Sequence, residues 1–112
     1  MNIASQASII ALDRHVAYCT SKAAIVGMTK VLAAEWAQHG ITVNAVSPTV
    51  VETELGKKAW SGEVGEAMKK KIPVGRFAQP EEIAAAVLYL VGAVSGMITG
   101  ENLIIDGGYT IQ

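Results

Sequence analysis

Tyr18 and Lys22 stand four residues apart, in Tyr18-Cys-Thr-Ser-Lys22. On a helix that spacing puts both side chains on one face, one turn apart. A free phenol, with a pKa of about 10, is a poor base at neutral pH. A close ammonium favours the phenolate, so the pair can accept or release a proton as general acid–base chemistry requires. Ser5 lies upstream, in Asn2-Ile-Ala-Ser5. A hydroxyl in a loop after a strand can hydrogen-bond a reacting oxygen and hold it near Tyr18. Taken singly, these residues have plainer readings. Tyr18 and Lys22 make an ordinary surface pair, and Ser5 is a turn or cap residue.

The chemistry needs elements that bring these residues together. Met1 to Ala4 reads as the tail of a strand, and residues 5–14 as a polar, irregular loop. From His15 to His39 the chain has no proline and only Gly27, and Ala23, Ala24, Met28, Val31, Leu32 and Ala34 recur at helical spacing. Gly40 stands where a helix stop is expected. Ile41 to Ser47 is β-rich and nearly continuous in apolar character, as a buried parallel strand is, and Pro48 ends it. Residues 49–79 form a long connection with a helix around Gly65–Lys71. Pro80-Glu81-Glu82 opens another helix, whose apolar side is Ile83, Val87, Leu88 and Leu90. Asn102 to Asp106 reads as a last buried strand, ended by Gly107-Gly108. Alternating strands and helices predict a parallel α/β sheet covered on both faces, as one domain over residues 1–112. Three strands, one of them truncated, are few for such a sheet. The expectation is that a neighbouring part of it lies outside these residues.

Bulk properties narrow the function classes. Of the 112 residues, 51% are hydrophobic and 17% charged, which is enough for a core and argues against disorder. The formal net charge is −1, and the one basic cluster, Lys69-Lys70-Lys71, reads as a solvated face, so no nucleic-acid partner is expected. Cys19 is the only cysteine. It excludes an internal disulfide, fits a reducing, cytoplasmic compartment, and reads as a small core or interface residue. No basic segment precedes an apolar one at the N-terminus, so no signal peptide is expected. The apolar run from Ile83 to Ile98 is too short for a membrane span. His15 and His39 show no metal-ligand spacing, and no metal is expected. His39, near a helix end, reads as a dipole partner. Glu35 and Trp36 read as interface or core. Trp60, in the long connection, is a candidate wall of a substrate pocket.

Four ordered motifs carry a family resemblance. They are Asn2-Ile-Ala-Ser5 with Tyr18-Cys-Thr-Ser-Lys22; Val43-Asn-Ala-Val-Ser-Pro48 with Val51-Glu-Thr53; Arg76-Phe-Ala-Gln-Pro80-Glu-Glu; and Thr99-Gly100-Glu-Asn-Leu-Ile-Ile-Asp106-Gly107-Gly108. Together they span nearly the whole chain, which resembles the catalytic, C-terminal half of the short-chain dehydrogenase/reductase family. The resemblance implies a Rossmann-type, doubly wound parallel sheet and an NAD- or NADP-dependent oxidoreductase that interconverts an alcohol and a ketone. It implies that Tyr18 is the catalytic acid/base. Lys22 would lower its pKa and hold the nicotinamide ribose, and Ser5 would orient the reacting oxygen. Pro48 would set a turn, Val51 would offer backbone groups to the carboxamide, and the Thr53 hydroxyl would reach the carboxamide or pyrophosphate side. A homotetramer is implied for a full-length protein, with the long helix paired against its copy.

Two departures from the family pattern matter. Ala4 stands where the family often has a second serine. Thr49 replaces the common glycine after Pro48, and Pro48-Thr-Val-Val51 resembles the xylulose-reductase and polyol-dehydrogenase branch. The glycine-rich Thr-Gly-x-x-x-Gly-x-Gly loop that cradles the pyrophosphate is absent from these residues, so the N-terminal cofactor half is expected to lie elsewhere and the chain alone to be inactive. The expected substrate is a polyol or sugar under a polar lid from Glu52 to Phe77. The alternatives are a 3-oxoacyl-type reductase and a truncated piece acting only as an interaction module.

Overall fold

Three short strands pair in parallel to form one sheet in the order β1-β2-β3. In the computed structural model, which describes residues 1–112, β1 is Asn2–Ile3, β2 is Ala45–Pro48 and β3 is Asn102–Ile105. Asn2 faces Ala45 and Ile3 faces Val46 across the first pair. Ala45 to Pro48 face Asn102 to Ile105 across the second. β2 lies between two neighbours, and all four of its residues are buried.

The strand expected from Ile41 begins only at Ala45. The Asn44 side chain donates to the Ile98 carbonyl at 2.8 Å and accepts from the Glu101 amide at 3.0 Å. These side-chain bonds add to the backbone bonds Asn2 N–H to Asn44 O and Gly100 N–H to Val43 O and tie the start of β2 to the 98–101 turn. Similarly, β3 stops before Asp106, whose carboxylate turns back to accept from the Gly108 and Thr110 amides and the Thr110 hydroxyl.

The long helix α1 runs Val16–Trp36, followed by a 3-10 turn over Ala37–His39. Gly40 ends it in the left-handed conformation at φ +73°, which glycine adopts without a Cβ clash. α1 packs on a 3-10 turn at Gln6–Ser8 and on β1 and β2. The Asn2 side chain donates through Nδ2 to Thr29 Oγ1 at 3.0 Å and pins the helix to the first strand. Three more helices follow: α2 at Glu54–Ala59, α3 at Glu63–Lys71 and α4 at Pro80–Val91. α2 was not expected from the sequence. Its start is capped by Thr53, whose Oγ1 accepts from the Gly56 amide at 3.0 Å.

Much apolar surface is left uncovered. Of the 21 residues of α1, only Thr29 and Ala33 are buried. Leu88, Val94 and Met97 are 72%, 85% and 97% exposed. The accessible surface is 7036 Å² for 11.7 kDa, against about 5,900 Å² for a compact monomer of that mass.

Candidate active site

The carboxyl ends of β1 and β2 deliver Ser5 and the segment after Pro48 to the same edge of the sheet, the side on which parallel sheets bind ligands. Ser5 leaves β1 in an extended conformation and caps the Gln6–Ser8 turn, its Oγ accepting from the Ala7 amide at 3.2 Å. The cap reading of Ser5 is therefore realised, and the hydroxyl proton stays free to donate. The Gln6–Ser8 turn packs on α1, and Ser8 Oγ lies 3.3 Å from Ser47 Oγ. The loop that carries Ser5 is thus held between the helix and the central strand.

Tyr18 and Lys22 occupy adjacent turns of α1, as their spacing predicts. Lys22 Nζ donates to the Ile3 carbonyl at 3.1 Å and lies 5.7 Å from the Tyr18 ring centroid. The ammonium is anchored to β1, two residues before Ser5. Tyr18 is 44% exposed, open to a substrate, and His15 stands edge-on to it with ring centroids 6.5 Å apart. Tyr18 and Lys22 thus stand where α1 meets β1, and Ser5 caps the turn that packs against the same helix.

Pro48, Val51 and Thr53 form a second group, and no hydrogen bond joins it to the first. Pro48 is the last residue of β2, opposite Ile105. Val51 bridges Ala78 in parallel fashion, the Ala78 amide donating to Val50 O and the Glu52 amide to Ala78 O. Thr53 Oγ1 accepts a helix-cap bond, which leaves its proton available. The motif Arg76 to Glu82 holds this segment from behind. Arg76 clasps Glu82 through two bonds of 2.8 and 2.7 Å. Glu82 accepts from the Gln79 amide, and the Gln79 side chain donates to Glu52 at 3.1 Å. The bond from Arg76, then that from the Gln79 amide, holds the Glu82 carboxyl down to about 2.

Thr49, at the position where the resemblance expects glycine, is buried with an unpartnered Oγ1. It borders a small open pocket of about 140 Å³, walled also by Phe77 and Ile105. Asp106 is held below the ordinary carboxylate range: burial pushes it up, but the Thr110 hydroxyl and the Thr110 and Gly108 amides outweigh that effect.

Beside the first group opens a cleft of about 540 Å³, lined by Gln6, Leu12, Asp13, His15, Trp60, Met68, Lys71 and Tyr109 among others. Ser5 and Tyr18 are not on its wall; their neighbours Gln6 and His15 are. Trp60 stands where its sequence reading put it, on a cleft wall, edge-on to Phe77 at 6.1 Å. The solvated-face reading of the lysine run holds only in part. Lys69 pairs with Glu66 at 3.0 Å and lies over Phe77, and Lys71 reaches the cleft. Gln6 and Tyr109 were missed in the sequence, and His15 was set aside. The signals available were that Gln6 directly follows Ser5 and that His15 lies one turn before Tyr18. No helix is long and apolar enough to cross a membrane.

The family model described as enoyl-(acyl carrier protein) reductase matches residues 1–110. The NAD-dependent glycerol dehydrogenase of Listeria innocua is 70% identical over 112 residues, all of this chain and 44% of that protein. The L-xylulose reductase of Cavia porcellus is 44% identical over 110 residues, 97% of this chain and 45% of that one. A short chain dehydrogenase family protein from Francisella tularensis superposes with a TM-score of 0.93 at 37% identity, covering 98% of this chain and 50% of its own. The chain thus spans about half the length of the relatives it matches. With the parallel sheet, these matches show that the chain belongs to the short-chain dehydrogenase/reductase family, in its polyol dehydrogenase branch.

Proposed function

We propose that this chain is the catalytic side of a nicotinamide-dependent dehydrogenase that interconverts a small polyol or sugar alcohol and its ketone. The observation that carries the reading is the anchored pair. Lys22 is tied to Ile3 O beside the Tyr18 ring, and Ser5, two residues after Ile3, has a free proton. In this reading Tyr18 takes the hydroxyl proton of the substrate during oxidation and returns it during reduction. Ser5 donates to the reacting oxygen and fixes its position. The Lys22 ammonium stabilises the phenolate and donates to the ribose hydroxyls of the cofactor.

The residues fit a nicotinamide nucleotide at its nicotinamide end. Thr53 has a proton to donate, the backbone beside Val51 is held at the sheet edge by Ala78, and Pro48 turns the chain there. The cofactor, when bound, accepts or supplies the hydride. NAD(H) and NADP(H) are both candidates, since the ribose-selecting and pyrophosphate-cradling sequences are not among these residues, and the segment alone is expected to turn over no substrate. The glycerol dehydrogenase and xylulose reductase named above support a polyol or ketose substrate. The cleft offers Asp13, His15 and Lys71 as polar partners among mostly apolar residues such as Leu12, Trp60, Val64 and Met68.

The uncovered apolar sides of α1 and α4 support a homotetramer of the full-length protein. The lone Cys19 suits a cytoplasmic location. The test is a panel of glycerol, sugar alcohols, ketoses, diacetyl and acetoacetyl thioesters, assayed on the full-length protein with NAD(H) and NADP(H). Efficient turnover of polyols or ketoses is expected. A hundredfold preference for the thioester would overturn the substrate class, and no turnover with any member would overturn the dehydrogenase reading.

A further inference from the structure

Ser5 sits on a turn that is tied to the central strand on both sides of it. Before it, the Ala4 amide donates to the Val46 carbonyl at 2.8 Å. After it, Ser8 Oγ lies 3.3 Å from Ser47 Oγ. Val46 and Ser47 are consecutive residues of β2. The turn itself is wound on Ser5, whose carbonyl accepts from the Ser8 amide at 2.9 Å and whose Oγ accepts from the Ala7 amide at 3.2 Å. No backbone hydrogen bond joins Gln6–Ser8 to β2. The second tie is therefore made by side chains alone, and a substitution can remove it.

Ser47 is fully buried on the middle strand, where an apolar residue would fill the space as well. Its hydroxyl is committed on both sides instead. It donates to Asn102 Oδ1 on β3 at 2.7 Å. An amide oxygen only accepts, so the one proton of Ser47 is engaged there, and its oxygen is left to accept from Ser8. The chain of bonds from Ser8 through Ser47 to Asn102 thus runs in one direction, and successive links strengthen one another. The sheet register allows it. Asn102 stands opposite Ala45, two residues before Ser47, so both side chains lie on one face of the sheet.

We infer that Ser47 is a positioning residue for the reaction: acting through Ser8, it fixes the turn that Ser5 caps and so the direction in which the Ser5 hydroxyl points. This rests on the dehydrogenase reading above. A misplacement of about 1 Å in a group that orients the reacting oxygen can cost roughly a hundredfold in rate.

The test uses the full-length enzyme and kcat for the polyol or ketose that it turns over best, read with Ser5 intact and in a Ser5→Ala background. Ser47→Ala removes one oxygen and leaves the Ser8 proton and Asn102 Oδ1 unpaired. With Ser5 intact it should lower kcat about tenfold or more, and cofactor affinity by calorimetry should stay within about twofold of wild type. In the Ser5→Ala background it should lower kcat no further, because the group it positions is gone. Ser8→Ala, at a half-buried position, should reproduce the loss, and it covers the case in which Ser47→Ala does not fold. Ser8→Thr, which keeps the hydroxyl, should recover most of that loss. Turnover within about twofold of wild type in both alanine variants would overturn the inference and leave the dehydrogenase reading standing. So would a loss equally large in the Ser5→Ala background, which marks a bond that serves folding alone. A Ser5→Ala enzyme as fast as wild type removes the role of Ser5 and the inference with it. If the wild-type enzyme turns over no polyol or ketose at all, both readings fall.

Discussion

Replacing Tyr18 by phenylalanine removes one oxygen and leaves the surroundings in place. The ring keeps its edge contact with His15 at 6.5 Å and its position 5.7 Å from Lys22 Nζ. The residue is 44% exposed, and its hydroxyl makes no hydrogen bond within the protein, so folding stability should change by less than about 0.5 kcal/mol. The loss therefore falls on chemistry. Proton transfer by a positioned group is worth roughly 10²–10⁴ in rate, or about 2.7–5.5 kcal/mol of barrier. In the proposed mechanism Lys22 serves both the phenolate and the cofactor ribose, so Lys22→Met should lower kcat and weaken cofactor binding together. Steady-state kcat in both directions, with cofactor affinity by calorimetry, on the full-length enzyme separates the two. Tyr18→Phe should bind cofactor nearly as wild type does and turn over at most about a hundredth as fast. A kcat within tenfold of wild type would refute the assignment of Tyr18 as the acid/base.

Three further outcomes follow from the geometry. Val31, 56% exposed on α1, becomes a buried charge if that helix pairs with its copy, so Val31→Glu should shift the full-length protein from tetramer to smaller species in light scattering; an unchanged mass would count against the pairing. Gly107→Ala should destabilise by about 2–4 kcal/mol in urea titration, since Gly107 has φ +61° and a Cβ there would sit 2.8 Å from Ile72 Cγ2. The Glu82 carboxyl, lowered from 4.5 to about 2 by Arg76 and the Gln79 amide, stabilises the fold when charged. That contribution is complete above pH 4.5 and is lost as the pH falls towards 2. Glu82→Gln should therefore lower the denaturation midpoint at pH 7, and its deficit should shrink through that window; a deficit that is constant with pH would refute the pairing.

The fold itself takes up one of the small residues of α1. Ala33, which as a small residue on α1 reads as a contact for a second copy, is buried within this chain, and its Cβ lies about where Gly100 leaves room for it. A charge at Ala33 would test folding, not assembly. The exposed residues of the same helix are the ones to change. A nearly uniformly apolar helix carries too little periodic signal to tell its two sides apart.

The sequence by itself determined the parts that are encoded over a few residues. Tyr18 and Lys22 share a face because the helix repeats every 3.6 residues. Strands were legible near residues 1–4, 41–47 and 102–106, the last two as β-rich runs beside glycines and prolines, and their alternation with helices implied parallel pairing. Thr53 and the Arg76 to Glu82 motif were visible as motifs, but not as a cap and a brace. Tertiary structure decided the rest. The start of β2 is tied by the Asn44 side chain to residues more than fifty positions away. α2, six residues long, is too short to be stable alone and exists because its cap and its neighbours hold it. The cleft joins Gln6 and His15 to Trp60, Lys71 and Tyr109, segments up to a hundred residues apart. No local pattern encodes that meeting, because it depends on how strand register and helix packing sum over the whole chain.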